Sequence, residues 1–278
     1  MTFALGRAVR RSQHVALRDA PAREGGGGLS AATLARAFVR SLFLQASWNP
    51  RGMQGLGFAH AMTPALEELY RDPKERAQAV LRHLEFFNCH PYLAAGILGA
   101  AIRLEEKVAR GEERGETVSA LKRALAPPFA ALGDGFFWLA LRPAAALVAV
   151  ATVPALGLWS LAVFLGLYNV VHIAFRAWLF MQGYKNGAGI VQRVAVAQVP
   201  AATTHLKALA ALVAGAVAAR SVLVALMPAA AGQPWRGWHA LLVASTIVGM
   251  AALLPRLRFG VALYAALLLG LVIGSRFF

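Results

Sequence analysis

Beyond Asp134 the chain has no carboxylate side chain, and its ten basic residues there (Arg142, Arg176, Lys185, Arg193, Lys207, Arg220, Arg236, Arg256, Arg258 and Arg276) stand singly between apolar runs. A half-chain with no side-chain carboxylates and so much apolar surface suits lipid, with lone cations at the interfaces. Composition agrees: 58% of the 278 residues are hydrophobic and only 15% charged, away from the usual balance of a soluble domain. The net charge of +15 raises the question of nucleic acid, but the cations form no stripe, so anionic lipid headgroups are the better counter-charge. Cys89 is the sole cysteine, which excludes an intrachain disulfide and a cysteine-based zinc site.

Read along its length, the chain divides into four parts. Residues 1–28 combine five arginines with the run Gly25 to Gly28 and predict a flexible basic tail. Residues 29–104 predict amphipathic and re-entrant or broken helices. Ser30 is placed to cap a helix running to Trp48, with Leu34, Phe38, Leu42 and Gln45 on one face. An apolar stretch over 54–70, a charged helix from Lys74 to Asn88 and a second apolar stretch from Tyr92 to Leu104 follow. None reaches the about 20 apolar residues a spanning helix needs. The charge density of 105–123 predicts a connector facing water. Residues 124–278 predict about five transmembrane helices, two of them within 136–181 and broken near Pro154 and Gly157, the others at 208–227, 238–254 and 259–274. The fold class expected is therefore an all-α, multi-pass membrane protein.

Polar groups at membrane depth are costly unless satisfied, so their clusters are candidate sites. Gln45, Ser47, Trp48 and Asn49, with Gln54 beyond the break, pair carboxamide donors and acceptors with an indole face, a combination that fits sugar hydroxyls and a pyranose ring. A helix C-terminus with Asn49 as cap explains the same residues. The cluster of His83, Glu85, Asn88 and His90 invites a metal-site reading on its two histidines and one carboxylate, against the alternative of hydrogen bonds to neighbouring helices. At 100° per residue, however, Glu85 points away from the face shared by His83 and His90, so one straight helix gathers no metal there. Phe86 and Phe87 suggest apolar surroundings for Glu85. Pro127-Pro128 and Gly133-Asp134-Gly135 describe an irregular turn in which Asp134 either caps the next helix or touches a ligand. His14, His60, His172, His205 and His239 read as isolated. No nucleophile elbow or phosphate loop is present, and no cofactor is expected.

In order along residues 40–194, the chain resembles the IID membrane subunit of mannose/fructose/sorbose-family phosphotransferase systems. The motifs are Arg40-Ser41 with Gln45-Ala-Ser-Trp-Asn49, Met53-Gln54-Gly-Leu-Gly57-Phe58, Pro64 to Tyr70, Arg82 through Tyr92, Ile97-Leu98-Gly99, Leu104-Glu105-Glu106, Gly133-Asp134 with Phe137-Trp138, Arg142-Pro143, Asn169-Val-Val-His172 and Gly183-Tyr184-Lys185. The family's aromatic-Glu-Arg after Trp-Asn is Pro50-Arg51-Gly52 here. The resemblance implies an inner-membrane subunit that forms a sugar channel with a IIC partner, in an oligomer of such pairs. It delivers a hexose to cytoplasmic IIB, charged by IIA, and does no phosphoryl chemistry itself. Gln45, Trp48, Asn49, Gln54, Glu85, Asn88 and Asp134 are the expected sugar contacts or their immediate support. The alternatives are a related sensor that moves no sugar, and an unrelated membrane enzyme built on His83, Glu85 and His90.

Overall fold

The computed structural model describes residues 28–226, and these are helical, with isolated β-bridges and no strand. The expected spans at 238–254 and 259–274 lie outside the described residues. Contacts separate two compact units, the described parts of which are 28–139 with 167–203, and 140–166 with 204–226.

The first unit opens with α1 (Ala31–Ser41), whose Ser30 cap accepts from the Thr33 amide. The helix stops at Ser41 rather than running to Trp48, because Leu42, Phe43, Leu44 and Ala46 each donate three residues back instead of four, which tightens the path and ends the α-helical register. α1 packs on α2 (Gly55–Leu69), where Phe58, Met62, Ala65 and Leu66 are buried. Gly57 makes this crossing possible, since a Cβ there would overlap the Leu44 carbonyl. Pro64 lies inside α2 and has no amide for the His60 carbonyl four residues back; Arg40 donates to that carbonyl instead.

α3 (Pro73–Leu84) starts correctly for its sequence, with Asp72 capping and Pro73 in the first turn. It ends at Leu84, four residues before the predicted Asn88, so 85–90 is loop and the helical-wheel argument about Glu85 does not apply. α4 (Ala94–Ala109) carries Gly96 and Gly99 on a buried face. A Cβ on Gly99 would overlap the Phe180 carbonyl, and one on Gly183 would overlap the carbonyl of Gly96. Thus α4 and α7 (Ser160–Asn186) cross almost backbone to backbone, the small-residue packing that serves helices without an aqueous driving force.

α5 (Gly115–Gly133) contains Pro127 and Pro128 inside it, where a turn was expected. It continues into a π-helical stretch, Asp134–Leu141, and then into α6 (Arg142–Leu156). Pro143 has no amide to give Leu139, which is where an α-register requires one. Nor does 105–123 simply face water: Glu105, Glu106 and Lys122 are buried, because helix ends pack their charges together there.

In the second unit, α6 stops at Gly157 (φ 53°) and a short 3-10 turn, Gly157–Trp159, leads to α7. Thr152 donates to Ser160 across that turn (3.1 Å). The break near Gly157 lies where the sequence placed it. α8 (Ile190–Val196) belongs to the first unit, and α9 (Val199–Leu226) begins in the first and continues in the second. Two helical runs, Gly115–Val194 and Val199–Val217, are long and apolar enough to cross a membrane, and α6 and α7 expose Val150, Val153, Leu161 and Val170.

Gly183→Val should lower thermal stability by about 1–3 kcal/mol through overpacking, whereas Gly166→Ala, with open space around it, should change it by less than about 1 kcal/mol. Melting of the two detergent-purified variants checks this; equal melting would refute the close α4–α7 crossing.

Candidate functional site

Two loops, 45–54 and 85–90, carry most of the polar residues the sequence singled out, and backbone bonds sew them together. The Gln54 amide donates to the Phe87 carbonyl (2.9 Å) and the Phe87 amide to Gly52 (3.3 Å). Within the first loop, Asn49 and Met53 exchange both backbone bonds (3.3 and 2.8 Å). The Asn49 carboxamide oxygen accepts from the amides of Arg51 (3.2 Å) and Gly52 (2.9 Å). This loop holds Met53 at φ 52°, a left-handed conformation that a bulky residue keeps only when its neighbours over-determine it. Gly55 then enters α2 directly beneath the second loop; a Cβ there would stand 2.5 Å from the Glu85 carbonyl oxygen.

Gln54 is buried and bound at both ends of its carboxamide: its Nε2 donates to the Cys89 carbonyl (2.8 Å) and its Oε1 accepts from the Cys89 amide (3.0 Å). A side chain buried and paired this way braces both loops. Gln45, Trp48, Glu85 and Asn88 are exposed and Asn49 is half-buried. Glu85 therefore does not sit in apolar surroundings; it accepts from Ser119 Oγ (3.1 Å) and lies 3.5 Å from Arg123. Phe87 is the ring that turns inward, while Phe86 is 61% exposed. Gly133 seats tightly under the His90 ring, which brings the end of α5 to the second loop. Asp134, the next residue, is exposed in the π-helical stretch and caps nothing in the expected sense. Burial raises the Cys89 thiol to about 12, and the Asp134 charge pushes in the same direction.

Beneath this rim lies a charged network that sequence reasoning took for a solvated helix. Glu105 accepts from Arg82 at 2.6 and 2.9 Å, from Tyr70 OH at 2.6 Å and meets His83 Nε2 at 2.9 Å. Lys122 donates to the Arg82 carbonyl (2.8 Å). Burial opposes ionisation of Glu105, but the bonds from Arg82 and His83 outweigh it and hold its carboxyl at about 2. Burial keeps His83 below its ordinary value, against the pull of Glu105, so the neutral ring donates Nε2–H to the carboxylate. Nothing local in the sequence marks it, since Glu105 meets Arg82 and His83 from 23 and 22 residues away.

A second missed cluster centres on Tyr92. Its ring stacks on His172 (4.3 Å between centroids, 11°) and its hydroxyl lies 3.2 Å from that of Tyr168, so His172 is not isolated. Arg176 is buried, donates to the Ser41 carbonyl at the end of α1, and lies 5.8 Å from the Tyr92 ring centroid. No carboxylate pairs with it among the described residues. A helix C-terminus carries partial negative charge, so Arg176 anchors α1 just before the Gln45 loop.

These loops and the end of α5 thus carry carboxamides, the carboxylates of Glu85 and Asp134 and an exposed indole, side chains suited to gripping a hydroxyl-rich ligand. The described residues hold no group of three or more His, Cys, Asp or Glu able to bind a metal ion.

The sequence profile described as "PTS system mannose/fructose/sorbose family IID component" matches residues 28–249. Among relatives, the "PTS system mannose-specific EIID component" of Escherichia coli (strain K12) is 40% identical over 157 residues, covering 56% of each chain; the chain spans about half the length of the curated relatives it matches at this level. A solved structure described as "Structure of membrane protein" aligns with a TM-score of 0.65 at 27% identity, covering 90% of this chain and 98% of that one. One chain of "CryoEM Structure of Mannose Transporter ManYZ and Microcin E492 (MceA) complex" aligns with a TM-score of 0.56 at 30% identity, covering 89% and 96%.

Glu105→Gln should destabilise the fold by up to about 3 kcal/mol, because it leaves the half-buried Arg82 without its charge partner. Acid should act in two steps. His83 has a folded pKa below 6.5, so the unfolded state takes its proton first and stability falls as pH drops below about 6.5. Glu105 falls from 4.5 unfolded to about 2 folded, so a further loss follows below about 4.5. Melting curves at stepped pH should show the lower step in wild type and not in Glu105→Gln.

Proposed function

The chain belongs to the mannose/fructose/sorbose family of phosphotransferase IID components, and from that premise we propose that it is the sugar-translocating IID half of a permease. In this reading it crosses the inner membrane several times and forms the channel with a IIC subunit, in an oligomer of such pairs. It delivers a hexose that cytoplasmic IIB, recharged by IIA, phosphorylates. The partner assignment draws on the ManYZ likeness, and the division of chemistry on the family.

One observation supports the site: the two loops on which Gln45, Trp48, Asn49, Glu85 and Asn88 lie are locked to each other through Gln54 and the Cys89 backbone. Pre-organised polar groups lose little entropy when a ligand arrives. Carboxamides match vicinal hydroxyls, and an indole face covers the apolar side of a pyranose. Asp134, next to the His90 support, completes the rim. Gln54 acts as support and the other six touch sugar. Pro50-Arg51-Gly52 keeps the loop's turn, because Asn49 binds the amides of Arg51 and Gly52.

Cells expressing the chain with its IIC partner and phosphotransferase components should accumulate a radiolabelled hexose as its phosphate. Asn49→Ala and Gln54→Leu should each cut uptake by about tenfold or more, consistent with the roughly 1–3 kcal/mol cost of unsatisfied buried groups, at unchanged membrane levels. A wild type that moves none of mannose, glucose, fructose or sorbose would favour the sensor reading instead.

A further inference from the structure

At one end of α7 the first unit holds a groove of about 650 Å³, walled by α4, α5 and the turn Gly187–Gly189. Arg103, Lys107 and Lys185 line it against the single lining carboxylate of Glu113. Arg103 spends its charge on the buried Glu106 (2.5 Å). Lys107 and Lys185 have no ion pair among the described residues. Arg193 adds a further cation at the edge, where it donates to the lining Asn186 (3.3 Å). A concave surface with this surplus attracts an anion with several oxygens, which Lys binds as a point charge.

The apolar surroundings indicate what bears that anion. α7 has 27 residues, about 40 Å of helix, and so reaches across a hydrocarbon core with its last turn at headgroup depth. Along it Val170, Ile173 and Met181 are exposed, and Met181 stands one turn before Lys185 on the same face. An exposed apolar strip therefore runs into a cationic groove, the order in which a phospholipid presents acyl chain and phosphate.

We propose that this groove seats a phosphate group, carried by an anionic phospholipid whose acyl chains lie along the exposed face of α7. The inference rests on the membrane placement of α7 and not on the sugar reading, so the two fail separately. A bound headgroup ties the ends of α4, α5 and α7 together at the bilayer surface and couples the anchoring of α7 to lipid composition.

The test is native mass spectrometry of the full chain, delipidated in detergent and titrated with phosphatidylglycerol or with zwitterionic phosphatidylcholine. At about 1 kcal/mol per lysine near the surface, wild type should prefer phosphatidylglycerol on the order of tenfold. The Lys107→Gln/Lys185→Gln double variant should lose that preference and Lys107→Arg/Lys185→Arg should keep it. Lys185→Gln alone, at an exposed helix end, reads the effect if the double variant folds poorly. Inorganic phosphate forms the second arm: a melting-temperature rise in wild type but not in Lys185→Gln, without lipid preference, assigns the site to soluble phosphate. Equal binding of both lipids with no phosphate effect, or a preference that survives the glutamine substitutions, overturns the proposal.

Discussion

The buried carboxylate of Glu105 is the interaction on which the rest of the first unit depends. Tyr70 at the end of α2, Arg82 and His83 in the last turn of α3, and Glu105 in α4 meet there, and Lys122 brings in α5 through the Arg82 carbonyl. Four helices thus close on one charge. Such a centre is costly to desolvate and adds little net stability over a well-packed apolar core, but breaking it strands a buried charge. It ties the helix ends to one register, since Tyr70, Arg82 and His83 all meet the same carboxylate.

That registry fixes the site. The loop 85–90 departs two residues after His83, so its path is set where the charged network ends. From there the bonds between Gln54 and Cys89 and between Gly52 and Phe87 carry the constraint to the first loop. Functional side chains held on loops need such a supporting layer to keep their geometry. Gly55 and Gly133 belong to the same logic, since each allows a backbone or ring to approach where a Cβ would intrude.

Toward the membrane, packing replaces charge. α4 and α7 meet through Gly96, Gly99 and Gly183, and Arg176 on α7 reaches the C-terminal carbonyl of α1. There the guanidinium meets a helix end and an aromatic face in place of a carboxylate. The same helix therefore links the lipid-facing part of the chain to the start of the Gln45 loop.

Much of this was legible in the sequence. The Ser30 cap, the break at Gly157 and the apolar character of the second half follow from local chemistry, and local chemistry acts through neighbours a few residues apart. The ordered motifs from Arg40 to Lys185 likewise identified the family. Helix ends at Ser41 and Leu84, the continuation through Pro127 and Pro128, and the inward turn of Glu105, Glu106 and Lys122 were not legible. Each depends on a partner more than 15 residues away or on a register set by packing. By itself the sequence determined the apolar character of the second half and the family to which the ordered motifs belong. The tertiary structure alone decided that Gln54 is brace and Glu85 rim, and that Glu105 is anchor. A side chain's role is set by which long-range partner satisfies it, and that partner is chosen only when the helices pack.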